Sequence, residues 1–208
     1  MKEDLENYKR VVLEFGKIPR SRELIIRSFK EIIPNKQNWV GPMISLVFAA
    51  YLSFKFGFSD NTITSLDDVV NDLLNVQLAL LGCIFTVYSI ILAFLSKSYM
   101  QLLAKYQDSE SNSMLMKELS YYESILFLYF INIAITGIIV LFNPTFPERI
   151  TDNIFFDNML ATALLLLYFW FSFRLFYEIK SVIYNTIALF RTSVANSFID
   201  YCRENEKK

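Results

Sequence analysis

The chain has 208 residues, 54% of them hydrophobic, with 20 Phe, 12 Tyr, a formal net charge of −1 and no His. The lack of His removes the commonest metal ligand and general base, and two Cys, at 83 and 202, supply no metal framework. The apolar residues fall in long blocks, which excludes an ordinary soluble domain. A hydrocarbon core about 30 Å thick takes roughly 20 mainly apolar helical residues, and the blocks Val40 to Phe58, Val76 to Ser96, Ser124 to Phe142 and Asn158 to Tyr177 approach that length. The expected fold is all-α: a polytopic membrane protein with four transmembrane helices, some extended into a cytoplasmic bundle.

Residues 1–38 are charged and carry no short apolar run ahead of a small-residue cleavage site, so the first block is expected to be a retained span. Pro19 and Pro34 divide this arm into two helical pieces. The second, PRSRELIIRSFKEII, sets Leu24, Ile25, Phe29, Ile32 and Ile33 against Arg20, Arg22, Arg27 and Lys30, with Ser21 as the expected N-cap. Such a helix suits the headgroup region of an anionic bilayer, or packs on a neighbouring bundle. The basic residues alternate with Glu23 and Glu31 and no binding motif accompanies them, so direct nucleic-acid binding is not expected.

Gly41 and Pro42 open the first span, where Gly41, Ser45, Ala49 and Ser53 repeat every four residues. Small side chains at that spacing let two helix backbones approach closely. The following connection carries Asp60, Asp67, Asp68 and Asp72, read as a solvated outer face.

The second span holds a different stripe. Steps of four and three select Asn75, Ala79, Gly82, Thr86, Ser89, Ala93 and Ser96, all small or polar between large apolar neighbours. Close packing within the four-helix unit is the default expectation. A pore lining between protomers, or packing between subunits, uses the same residue types. The helix is expected to continue through KSYMQLLAKY, with QDSESNS as the turn of a cytoplasmic hairpin near 97–120 and the third helix beginning near Met114.

In the third span Asn132 and Thr136 stand one turn apart beside Gly137. Polar groups in lipid seek partners across a helix interface, and Thr86 and Ser89 are the expected ones. The fourth helix meets neither Gly nor Pro after Pro147, so about 50 helical residues reach about 75 Å. Arg174 and Glu178, at i and i+4, are expected to form an interfacial ion pair with the arginine snorkelled toward water. Further on, Ile183, Ile187, Phe190, Val194, Ser197 and Tyr201 recur at steps of four and three, a seam that either buries itself in a bundle or docks a partner.

Basic residues collect in the N-terminal arm, in the 97–117 connection (Lys97, Lys105, Lys117) and in the tail (Lys180, Arg191, Arg203, Lys207, Lys208). The positive-inside rule then puts both termini in the cytoplasm. Three regions follow: an N-terminal arm, 1–38; a four-helix transmembrane region with its hairpin, 39–178; and a cytoplasmic C-terminal helix, 179–208. The spans contain no Asp and no charge at mid-depth, which speaks against coupled transport and intramembrane proteolysis. Neither enzymatic activity nor a cofactor or bound metal is expected.

Four spans, a charged N-terminal arm and extended helices around KSYMQLLAKY and YEIKSVIYNTIALF together resemble the four-span membrane subunit of Kiwa-type bacterial anti-phage defence. The plan is also similar to small membrane-disrupting effectors of other defence operons. The resemblance is one of architecture over most of the chain. It implies a homo-oligomer in the bacterial inner membrane that senses or answers infection together with a cytoplasmic partner protein; the effector-like alternative is a homo-oligomeric ion channel.

Overall fold

The computed structural model describes residues 13, 20–33, 39–59, 62–94, 114–145 and 150–206. They form α1 (Ser21–Ile32), α2 (Val40–Gly57), α3 (Thr62–Phe94), α4 (Met114–Phe142), a 3₁₀ turn (Asn143–Thr145) and α5 (Ile154–Glu206), with no strand among the described residues. Four of these, α2 to α5, are long and apolar enough to cross a membrane. Ser96, the KSYMQLLAKY extension, the QDSESNS turn and the first N-terminal piece fall outside the described residues.

The helix ends follow local chemistry. At α1 the capping residue is Arg20 rather than Ser21: Leu24 N–H donates to the Arg20 carbonyl, and Glu23 reaches back to the Arg20 N–H at 3.3 Å. Glu at the third helical position supplies that return bond, so Ser21 is drawn into the helix. Pro42 sits in the first turn of α2, where its missing N–H costs nothing. Asn153 caps α5, its Oδ1 accepting from Phe155 and Phe156 N–H, while Asp157 in the first turn accepts from Ile150 N–H, Thr151 N–H and Thr151 Oγ1. No breaker interrupts the 53 residues of α5, which extend about 80 Å.

The chain forms two compact units, and α3, α4 and α5 contribute to both. One comprises Ile32–Cys83 and Leu126–Lys180. Its core gathers Ala49, Phe56, Leu66, Val70, Leu165, Tyr168 and Phe169. Here α2 runs antiparallel along α5, with Gly41 against Tyr177 at one end and Gly57 against Thr162 at the other; between them the Phe56 and Phe169 rings meet and the Trp170 indole N–H donates to the Pro42 carbonyl. All four members of the small series Gly41, Ser45, Ala49 and Ser53 are buried, as the four-residue spacing predicts. A Cβ on Gly41 would lie 2.5 Å from the Tyr177 ring, so the ring fills the space that a larger residue would need.

The other unit comprises Met1–Glu31, Ile84–Ile125 and Ser181–Lys208. Glu123 ties three of its helices together: Arg27 of α1 pairs with it at 2.9 Å, and Tyr88 of α3 donates to it at 3.3 Å. Arg27 also donates to Ser124, and Tyr122 bonds Thr186 of α5 at 3.0 Å. Ser28 is fully buried while Ile25 and Ile26 stay exposed, so α1 packs on its unit and still presents an apolar edge.

Candidate functional site

Inside the four-helix unit lies a cluster of polar side chains excluded from water. Gln77 of α3, Asn132 and Thr136 of α4 and Ser172 of α5 are each 0% exposed, and Tyr168 is 7% exposed. Thr136 Oγ1 lies 2.8 Å from Gln77 Oε1, 2.8 Å from the Asn132 carbonyl and 3.0 Å from Tyr168 Oη. A hydroxyl has one proton to give. Thr136 therefore donates to no more than one of the three, and its bond with Tyr168 can run in either direction. One turn away, Ser172 donates to Asn132 Oδ1 at 3.0 Å.

Two amide groups are left over. Gln77 Nε2 and Asn132 Nδ2 are buried with no hydrogen-bond partner among the described residues. Turning either amide over only exchanges which of its two polar atoms is orphaned. A buried unsatisfied group costs about 1–3 kcal/mol, so this cluster is polar well beyond what packing alone needs.

Asn132 and Thr136 do bond across helix interfaces, but not to Thr86 or Ser89. The register between α3 and α4 decides this. Asn143 donates to the Ile63 carbonyl and Thr136 meets Gln77, so Asn75 lies near the level of Gly137 rather than at the outer end of the helix. The apolar stretch of α3 runs Leu66–Ala93, so it includes the block from Val76 and begins ten residues before it. Gln77 is the one member of the buried polar cluster on α3, and it lies outside the small and polar stripe. Its signal was available: Val70, Gln77, Ile84 and Ile91 recur every seven residues, and all are buried.

The small and polar stripe of α3 lies on another face. Asn75, Ala79, Gly82, Thr86, Ser89 and Ala93 are all exposed, and nothing approaches within 4 Å of a Cβ built on Gly82. Packing within the four-helix unit, the default expectation, is therefore not the role of this stripe. Ser89 satisfies its hydroxyl on the Phe85 carbonyl of its own helix. The seven-residue apolar row carries the packing, and the stripe is left facing outward.

Arg174 and Glu178 are paired, but buried rather than snorkelled. Arg174 is 0% exposed and Glu178 3%, and they form an i,i+4 ion pair. Arg174 Nε donates to the Ile32 carbonyl at 3.2 Å, and its guanidinium stands 5.9 Å from the Tyr177 ring centre. Two described residues close on this part of α5: the Ile32 carbonyl accepts from the arginine, and Gly41 packs against the Tyr177 ring. Arg174 Nη2 keeps no hydrogen-bond partner among the described residues.

Along the last turns of α5 the buried row is Val182, Leu189 and Ser193, with Thr186 half-buried. Ile183, Ile187, Val194 and Tyr201 are exposed, and Phe190 is half-buried. The expected seam is thus displaced by about one residue from the row that packs, and most of it faces out. Among the described residues no group of three His, Cys, Asp or Glu is placed to hold a metal ion. Comparison with protein-family models, with curated proteins and with solved structures finds no match to this chain.

Proposed function

We propose that this chain is a non-enzymatic, multi-pass protein of the bacterial inner membrane with both termini in the cytoplasm. It assembles as a homo-oligomer and serves as the sensor or scaffold subunit of an anti-phage defence system, docking a soluble effector through the end of α5. The observation that carries this reading is the outward apolar row Ile183, Ile187, Val194 and Tyr201, each more than half exposed. A helix about 80 Å long greatly exceeds a hydrocarbon core of about 30 Å. Apolar side chains presented to water at helical spacing suit a partner helix or groove. The Lys/Arg excess of arm and tail supports the orientation.

The test is co-purification with the soluble protein encoded beside this chain. Ile187→Glu is expected to abolish the complex while the purified protein conducts no ions in liposomes. Retention of the complex by Ile187→Glu and Val194→Glu together would remove the docking reading.

A second reading, a homo-oligomeric channel, is favoured by the outward stripe of α3. Four helices are too few to enclose a wide channel, so the stripe would line a path only between protomers. It predicts ion flux in liposomes that Thr86→Leu or Ser89→Leu alters. Silence in liposomes, with the operon partner present, removes it.

A further inference from the structure

The four-helix unit contains a cavity of about 550 Å³, bounded by the end of α2, the start of α3, the last turns of α4 and the first turns of α5. Its size falls in the roughly 300–1,000 Å³ range of small-molecule sites. Its chemistry is unlike that of most such sites, because the walls are almost wholly apolar and the few polar residues, Asn143, Asp157 and Asn158, stand together at one end. The Asp157 carboxylate accepts from Ile150 N–H, Thr151 N–H and Thr151 Oγ1. The Asn143 amide N–H donates to the Ile63 carbonyl. Tyr168 presents its ring to the cavity while its hydroxyl is bonded to Thr136 behind the wall. Among the described lining residues there is no Lys or Arg to hold a phosphate.

The opening is as apolar as the floor. Ile138, Phe142, Leu160 and Leu164 all line the cavity and are all exposed, so it opens sideways between α4 and α5 rather than along the helix axes. Both helices belong to the set apolar enough to cross a bilayer, so that side faces hydrocarbon. The deep wall is buried Leu66, Leu165 and Tyr168. Along α5 the lining runs from Asp157 to Tyr168, about 16 Å of helix, close to half of a hydrocarbon core of about 30 Å. The polar residues Asn143, Asp157 and Asn158 all stand at the end where α5 begins, the level at which a headgroup would lie.

We propose that this cavity is a lateral binding site for one acyl chain of a membrane lipid, held along the depth of a single leaflet with its tip against the Tyr168 ring. Recognition rests on the chain and not on the headgroup, since the rim offers amides and an occupied carboxylate but no cation.

The full-length protein, reconstituted in liposomes with a phosphatidylcholine or phosphatidylglycerol carrying a diazirine near the acyl tip, tests this by photolabelling and peptide mapping. Labelling is expected to concentrate on the α5 peptide containing Leu165 and Tyr168, to saturate with probe, and to be the same for both headgroups. Ala161→Phe, which fills the cavity, is expected to lose that labelling. Ala163→Phe, the same change at an exposed position two residues away, is expected to keep it. Ile138→Trp narrows the mouth at an exposed position, and it is expected to reduce labelling even if Ala161→Phe fails to fold. Labelling spread evenly over exposed residues such as Leu141 and Leu167, or unchanged by both Ala161→Phe and Ile138→Trp, would overturn the proposal. Labelling confined to one headgroup would likewise overturn recognition by the chain.

Discussion

Gly57 and Thr162 meet with no room for a side chain between them. A Cβ on Gly57 would fall onto the Thr162 hydroxyl and within 3.0 Å of the Thr162 Cα, which is backbone and cannot turn aside. Gly57→Ala is therefore expected to push α2 from α5 and lower stability by about 1–3 kcal/mol, the usual range for overpacking. Thermal unfolding in detergent measures it. Thr162→Ala in the same chain removes the hydroxyl but leaves the Cα, so rescue is expected to be partial.

The Thr136–Gln77–Tyr168 cluster supports a prediction with two signs. Thr136→Val deprives two buried groups of a partner and is expected to destabilise by about 1–2 kcal/mol. Gln77→Leu also removes an amide whose second polar atom is orphaned, so it is expected to be near neutral or stabilising. A double-mutant cycle between the two is expected to give a coupling of about 0.6 kcal/mol, typical of interhelical bonds in membranes. Equal losses from both single changes would argue that something outside the described residues satisfies Gln77.

These two contacts also mark how far the sequence could be read. Gly41, Ser45, Ala49 and Ser53 announced the close α2–α5 contact because only small residues permit it. The same logic misplaced Gly82, Thr86 and Ser89. In a helix apolar on every face, hydrophobicity cannot separate the side toward protein from the side toward lipid, and small residues occur on both. Gln77 and Arg174 were obscured for a related reason. Each lies near the edge of an apolar block, and its depth is fixed by the register of neighbouring helices, which belongs to tertiary structure. Four long helices and an unbroken α5 were legible because they depend on local composition and the absence of Gly and Pro.

The buried Arg174–Glu178 pair and the half-buried Arg27–Glu123 pair should respond differently to the loss of one member. Glu178→Ala leaves a guanidinium uncompensated at 0% exposure, and a loss of about 3–5 kcal/mol is expected. Replacing both, as Arg174→Met with Glu178→Leu, removes the charge with its partner and is expected to recover most of that loss. Glu123→Gln breaks a pair whose side chains are 33% and 43% exposed, so less than about 1 kcal/mol is expected, shrinking further in high salt. Denaturation at two ionic strengths separates the cases.

The final prediction turns on two residues of α5 that stand two positions apart. Ile187 is 52% exposed and Leu189 is 9% exposed, although both are large, aliphatic and within one turn of each other. A carboxylate at 189 must enter the packed row shared with Val182 and Ser193, where an unpaired charge is costly, so Leu189→Glu is expected to unfold this part of α5. A carboxylate at 187 points outward, and Ile187→Glu is expected to change stability by less than about 0.5 kcal/mol. Hydrogen exchange over 181–206 distinguishes them: faster exchange in Leu189→Glu, unchanged protection in Ile187→Glu. That contrast is what makes Ile187→Glu usable as a docking variant, because any loss of partner binding it causes cannot be ascribed to a melted helix. Equal protection loss in both variants would place Ile187 in the packed row and withdraw the outward face on which docking depends.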